Sequence, residues 1–108
     1  MFYDIHVYFR NKLEMEEARI IEELLKNNNV KTFPFIEVPV GPHPYPMFEA
    51  HINDSNKDFI ISEILKVNKL SPVLVHKKTG NHLFDHTDGA TWLGERLDLN
   101  LAFFDNFS

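Results

Sequence analysis

Six histidines are spread over this chain, in four short segments: YDIHVYF (3–9), GPHPYPMFEAH (41–51), LVH (74–76) and HLFDHT (82–87). Imidazole is the commonest protein ligand for a redox-active or Lewis-acidic metal, so histidines that converge in space form a candidate metal centre. Three neutral rings, or two rings and one carboxylate, can hold a divalent ion on one side and leave positions free for a substrate and oxygen. The chain has no cysteine, which excludes disulfides, thiolate metal sites, Fe–S clusters and a cysteine nucleophile together. Any metal must therefore be held by nitrogen and oxygen.

What has to position these rings is one domain, residues 1–108, since the 108-residue length leaves no room for a second core. A hydrophobic share of 44% with 10 phenylalanines speaks for a packed interior rather than disorder. A formal net charge of −5 argues against nucleic acid as partner. The N-terminal residues carry no basic and apolar leader, and no apolar run reaches about 18 residues, so the expectation is a cytoplasmic protein away from the membrane.

Residues 2–10 alternate. Tyr3, Ile5, Val7 and Phe9 point one way, and Phe2, Asp4, His6, Tyr8 and Arg10 the other, as in a strand with one apolar face. Asn11 and Glu14 have capping-box spacing, and Leu13, Ile20, Ile21, Leu24 and Leu25 predict a helix that stops near Asn27–Asn29. A second strand is expected at about 31–38, with Pro34 confining it to an edge, followed by a stiff proline loop, 40–46. Residues 47–52 alternate again, with Phe48, Ala50 and Ile52 opposed to Met47, Glu49 and His51. Asp54 or Ser55 is the expected cap of a helix carrying Phe59, Ile60, Ile61, Ile64, Leu65 and Val67. Pro72–His76 reads as a buried strand, 77–81 as a hairpin turn, and 82–85 as its short return strand. A short helix is expected from Thr87 or Asp88 through Leu93, ended by Gly94.

This order is the ferredoxin-like split β-α-β arrangement, an α+β sandwich with two helices on one face of an antiparallel sheet, plus an extra C-terminal hairpin strand and short helix. The first strand then lies between the third and fourth, which puts His6 and His76 on adjacent strands of the same open face. A single strand histidine is ordinarily structural; two that share a face on adjacent strands shift the reading toward a site. The third ligand is open between His43, His86 and Glu49, with Asp4 and Asp85 as outer carboxylates able to accept a ring N–H. His51 and His82 rank lowest, and Lys77–Lys78 reads as a solvated tip. Trp92, Leu93, Leu97, Leu99, Leu101, Phe103 and Phe104 supply an apolar tail able to close the open face or to pair with a second copy, so a homodimer is expected.

Four segments taken together, YDIHVYF, VGPHPYPMFE, VLVHKKTG and HTDGATWLG, resemble in order and spacing the DOPA 4,5-dioxygenase family, small aromatic ring-opening enzymes, from residue 3 to about 100. The resemblance implies extradiol-type cleavage of a catechol by O2 at a non-haem metal, Fe(II) with Zn as a substitute, on a ferredoxin-like fold. It singles out His6, His43, His76 and His86, and gives His51 no support. The assignment this suggests has His6, His76 and His86 on the metal and His43 as acid/base or substrate anchor, with His43 and His86 exchangeable in the catalytic role. Tyr8, Phe48 and Trp92 are the expected walls for the aromatic ring. Lys77 follows LVH where the family often has proline, a loop change that leaves the ring positions intact. Two other readings use the same residues: a dimeric, non-catalytic module that binds a small ligand, and a hydrolase or isomerase with Zn at the same histidines.

Overall fold

Strand β1 (Phe2–Tyr8) is the central strand of the sheet, as the split β-α-β order requires, and it is buried on both faces. In the computed structural model, which describes residues 1–107, the order of the five strands is β2-β3-β1-β4-β5 and every pairing is antiparallel. β3 (Met47–Asn53) pairs with one side of β1, with His6 opposite Glu49 and Asp4 opposite His51. β4 (Val73–Lys77) pairs with the other side, with Asp4 opposite His76 and His6 opposite Leu74.

Helix α1 (Lys12–Asn27) begins where the spacing predicts: the Asn11 side chain accepts from the Glu14 N–H at 2.9 Å. The Glu14 carboxylate in turn accepts from the Arg10 N–H and guanidinium, one residue further back than a reciprocal box would place it. The helix ends in a left-handed Asn29 (φ 61°), with Val30 N–H bonded to the Leu25 carbonyl and Asn29 N–H to that of Lys26. This is a Schellman closure, and Val30 packs into the core with Leu25 as that motif favours. Leu13 and Ile20 are exposed, so the core stripe of α1 is Met15, Ala18, Ile21, Leu24 and Leu25 instead.

β2 is only Lys31–Thr32, shorter than the expected 31–38, because Pro34 interrupts the ladder as an edge proline does; beyond it a single bridge joins Ile36 to Met47. Helix α2 (Lys57–Val67) has Asn56 at its N-cap, with no side-chain cap bond. Asp54, the expected cap, is instead bonded to the N-terminal amine and to the Tyr3 hydroxyl. Ile60 and Ile64 are buried against the sheet, whereas Phe59 and Leu65 face solvent. Each of the wholly buried Ile5, Ile21, Ile60 and Ile64 contributes roughly 1.5–3 kcal/mol by leaving water. The turn from α2 into β4 is fixed by Glu17 of α1, whose Oε1 accepts from Asn68 Nδ2 and from the Lys69, Leu70 and Ser71 N–H groups at 2.9–3.0 Å. Burial pushes the Glu17 carboxyl up, but these bonds outweigh it and its pKa falls below the usual value.

After β4 the order of elements differs from that expected. Residues His82–Asp85 form a one-turn helix, α3, and Ala90–Leu93 form strand β5, the reverse of the strand-then-helix reading. Asn81 caps α3 by accepting from the Phe84 N–H, and buried Asp85 accepts from the Thr79 N–H and hydroxyl, which curls the segment into a helix. Thr91 and Trp92 favour a strand, and β5 pairs along β4 with His76 opposite Ala90. Gly94 has the left-handed φ of 78° that a helix stop would use, but it follows a strand, with Asn68 Oδ1 only 3.3 Å from where a Cβ would lie.

Both α1 and α2 lie on the face that carries Ile5, Val7, Phe48, Ala50, Val73 and Val75. The opposite face is closed by the chain's own tail: Leu97 and Leu99 pack with Tyr8, Met47, Leu74 and Trp92. The Asn100 N–H bonds to the Pro42 carbonyl at 2.8 Å, which ties the tail to the proline loop before a 3-10 helix, Leu101–Phe107. Among the described residues no helix is long and apolar enough to cross a membrane.

Candidate metal centre

The diagonal offset between β1 and β4 brings His6 and His76 together. Their Nε2 atoms are 3.0 Å apart, and both side chains are almost completely buried. His43 comes from the proline loop, where its N–H closes a turn on the Val40 carbonyl, and its ring lies 4.1 Å from that of His6. His86 sits at the C-terminal end of α3, its ring 4.1 Å from His76 and 6.0 Å from His43. The rings thus close a circuit His6–His76–His86–His43 around the head of a cleft of about 340 Å3.

Burial, reinforced by the neighbouring rings, pushes the His6 pKa well below its ordinary 6.5 and His43 down to about 4; His86 is lowered for the same reasons. These three imidazoles are therefore neutral near pH 7 and have lone pairs to offer. In any neutral ring of the cluster, the hydrogen-bond partner of Nδ1 decides where the lone pair lies. His76 Nδ1 donates to the Lys77 carbonyl and His86 Nδ1 to the His82 carbonyl, each at 2.8 Å, because a carbonyl can only accept. In the neutral ring this leaves the lone pair on Nε2, aimed inward. Across the 3.0 Å His6–His76 contact two N–H groups would collide and two lone pairs would repel, so a proton or a cation belongs between them.

The carboxylates complete the donor set. Asp4 Oδ2 lies 3.7 Å from His76 Nε2, while its buried Oδ1 accepts no hydrogen bond, although His51 Nε2 at 3.2 Å and Lys78 Nζ at 3.7 Å are close. Glu49 approaches His6 Nδ1 to 3.8 Å and binds His51 Nε2 at 2.8 Å. By distance alone, ligand atoms of His6, His43 and His86, of Asp4, His6 and His76, and of Asp4, Glu49 and His51 each lie within 4.8 Å of one another. An under-bonded buried carboxylate oxygen beside neutral imidazoles is a donor set that fits a divalent cation.

The sequence-predicted residues fall as follows. His6, His43, His76 and His86 converge. Phe48 does not: it is fully buried on the helix-facing side, its ring 4.8 Å from Phe35, so it cannot be a wall of the cleft. Tyr8 is on the correct face but completely buried, with its hydroxyl 2.7 Å from His43 Nδ1, and so supports His43 rather than lining the opening. Trp92 stacks on Tyr8 with 5.9 Å between centroids and lines a smaller hollow with His86. Asp85 holds Thr79, not an imidazole, and Asp4 faces the ring nitrogen of His76 that points inward rather than its outer N–H. Three residues ranked low line or flank the cleft: His82 and Lys78 form its wall, and His51 bridges Asp4 and Glu49. The alternation that faces Glu49 toward His6 already put His51 on this side; nothing in the sequence marked Lys78. A broader hollow of about 680 Å3, lined by His82, Leu83, Leu101 and Phe104, shares Gly80 and His82 with the cleft and adjoins its mouth.

A sequence model of the Dopa 4,5-dioxygenase family matches residues 3–103. The chain is 33% identical over 113 residues to an uncharacterised 21.2 kDa protein of Botryotinia fuckeliana, covering 93% of this chain and 61% of that one. It is 26% identical over 106 residues to the DOPA 4,5-dioxygenase of Amanita muscaria, covering 90% and 46% respectively. It thus spans roughly half the length of these relatives. The crystal structure of a candidate dioxygenase from Nostoc punctiforme superposes with a TM-score of 0.92 at 28% identity, over 99% of this chain and 93% of that one.

Proposed function

Because the chain belongs to the Dopa 4,5-dioxygenase family, we propose that it opens the ring of a catechol with O2, using a divalent metal held by His6, His76 and His86. The observation that carries this reading is the convergence of those three imidazoles on one cleft, two of them with Nδ1 tied to backbone carbonyls so that Nε2 points inward. Fe(II) bound there would supply the redox chemistry that brings a catechol and O2 together. The overall change needs no outside reductant: one ring carbon–carbon bond breaks beside the diol, and the two atoms of O2 end in the new carboxyl and aldehyde groups.

The protein's own part is to bind, to desolvate and to manage protons. His43 presents one ring nitrogen to the cleft while the other is held by Tyr8, which suits a group that holds or passes a proton at a catechol oxygen. Asp4 and Glu49 add negative charge at one end and Lys78 a positive charge beside it. The buried His6 and His76 keep bulk water from the inner end. A homodimer belongs to the same reading, supported by the partly exposed Leu101 and Phe103 that the tail leaves uncovered.

The test is oxygen uptake by iron-loaded protein over a panel of 4-substituted catechols. One O2 consumed per ring opened, with a yellow semialdehyde product, is expected. Bound iron with no uptake across the panel would sink the proposal in favour of a binding module; turnover of an ester or amide without oxygen would favour a zinc hydrolase.

A further inference from the structure

Tyr8 is a large polar side chain with no exposed surface, set beneath the histidine cluster rather than in it. Among the described residues its hydroxyl has one hydrogen-bond partner, His43 Nδ1, at 2.7 Å. A contact that short is a full hydrogen bond, so one of the two groups must donate. If His43 donated from Nδ1, the phenolic hydrogen would be left buried without an acceptor, which folded proteins avoid. If Tyr8 donates, both groups are satisfied.

We propose that Tyr8 is a positioning residue that holds His43 as the Nε2–H tautomer, and so makes His43 a hydrogen-bond donor toward the cleft and not a metal ligand. The contrast with its neighbours carries the argument. His76 and His86 have Nδ1 bonded to acceptors, backbone carbonyls, and present inward lone pairs; His43 has Nδ1 bonded to a donor and presents an N–H. Distance alone admits His43 to a metal set with His6 and His86, but an imidazole with a proton on its cleft-facing nitrogen has no lone pair there to give. One hydroxyl thereby separates otherwise similar rings into ligands and a donor. A donor of this kind suits an anionic oxygen of a bound molecule, so the phenolate oxygen of a singly ionised catechol is the partner class for His43.

The proposal stands on hydrogen bonding and is independent of turnover, so its failure is distinguishable from that of the dioxygenase reading. Histidine side-chain 15N NMR on the zinc-loaded protein reads the tautomer directly. In the unaltered protein the His43 resonances should show a protonated Nε2 and an unprotonated, hydrogen-bonded Nδ1. Tyr8→Phe, which keeps the ring and its packing, should shift His43 toward the Nδ1–H form while His76 and His86 keep their tautomers. A protonated Nδ1 or a zinc-bound Nε2 on His43 of the unaltered protein would overturn the proposal. So would a His43 tautomer unmoved in a folded Tyr8→Phe variant. Because the first measurement needs no substitution, a variant that failed to fold would still leave the proposal decided.

Discussion

The Nε2 atoms of His6 and His76 stand 3.0 Å apart although 70 residues separate them in the chain. They are not cross-strand partners, since His6 is opposite Leu74 and His76 opposite Asp4; the rings meet on the diagonal. Diagonal neighbours on one face of a sheet lie within reach of long and aromatic side chains, and here that reach is bounded by two flanking carboxylates, Asp4 and Glu49.

The metal should depend on this pair. His6→Ala or His76→Ala should weaken Fe(II) or Zn(II) binding by more than the roughly 10–100-fold that loss of an outer-shell partner costs. Dialysis followed by metal analysis checks it. Full metal content in either folded variant would remove that residue from the ligand set.

His43→Ala should behave differently, retaining metal while kcat falls about 100- to 10,000-fold, the range for loss of a positioned acid or base. Loss of metal in step with activity would place His43 among the ligands.

Acid should weaken the metal-free protein before ordinary carboxylates titrate. His43 is held at about 4 and His6 well below 6.5, whereas in the unfolded chain each takes a proton near its ordinary value. Below about pH 6.5 the unfolded state therefore binds more protons, so stability complete above that pH is lost progressively as pH falls toward about 4. The His43 shift alone corresponds to on the order of 3 kcal/mol. Urea midpoints measured across this window should fall with pH; a flat profile contradicts the neutral cluster.

Glu17→Ala should destabilise the fold by roughly 3 kcal/mol, because it strands the Lys69, Leu70 and Ser71 N–H groups that the carboxylate now satisfies. Chemical denaturation at pH 7 measures it, and a loss below about 1 kcal/mol would mean that water replaces the carboxylate freely.

For the proposed homodimer, light scattering over a dilution series should give twice the 12.7 kDa chain mass. The tail already covers its own sheet through Leu97 and Leu99, so the remaining contact would centre on Leu101 and Phe103. A clean monomer at micromolar concentration rules the dimer out.

Much of the scaffold was legible because strand periodicity is simple. Alternation about Ile5 and Ala50 fixed which side of β1 and β3 meets the helices, and with it the co-facing of His6 and His76. The same alternation put Phe48 on the helix side, so the periodicity of β3 contradicts its expected place in the cleft. The α3–β5 region was illegible because segments of four residues carry too little periodicity, and the deciding bonds come from Asn81 and Asp85. Alternation put His51 on the correct face, but its pairing with Asp4 and Glu49 follows from register, and Lys78 owes its place to the loop path, which no local pattern encodes.

The strand order carries a consequence for biosynthesis. β1 leaves the ribosome before the other four strands, yet it is the central one, and its partners begin only at Met47 and Val73. Until both have been made, the nascent chain has an apolar strand with at least one unpaired edge, the form most open to wrong pairing and to chaperones. His6 waits equally long for His76, so a metal can be captured by the paired site only after most of the domain has been translated. Under the proposed chemistry, iron loading is therefore a late event in the life of this chain, downstream of sheet closure rather than a nucleus for it.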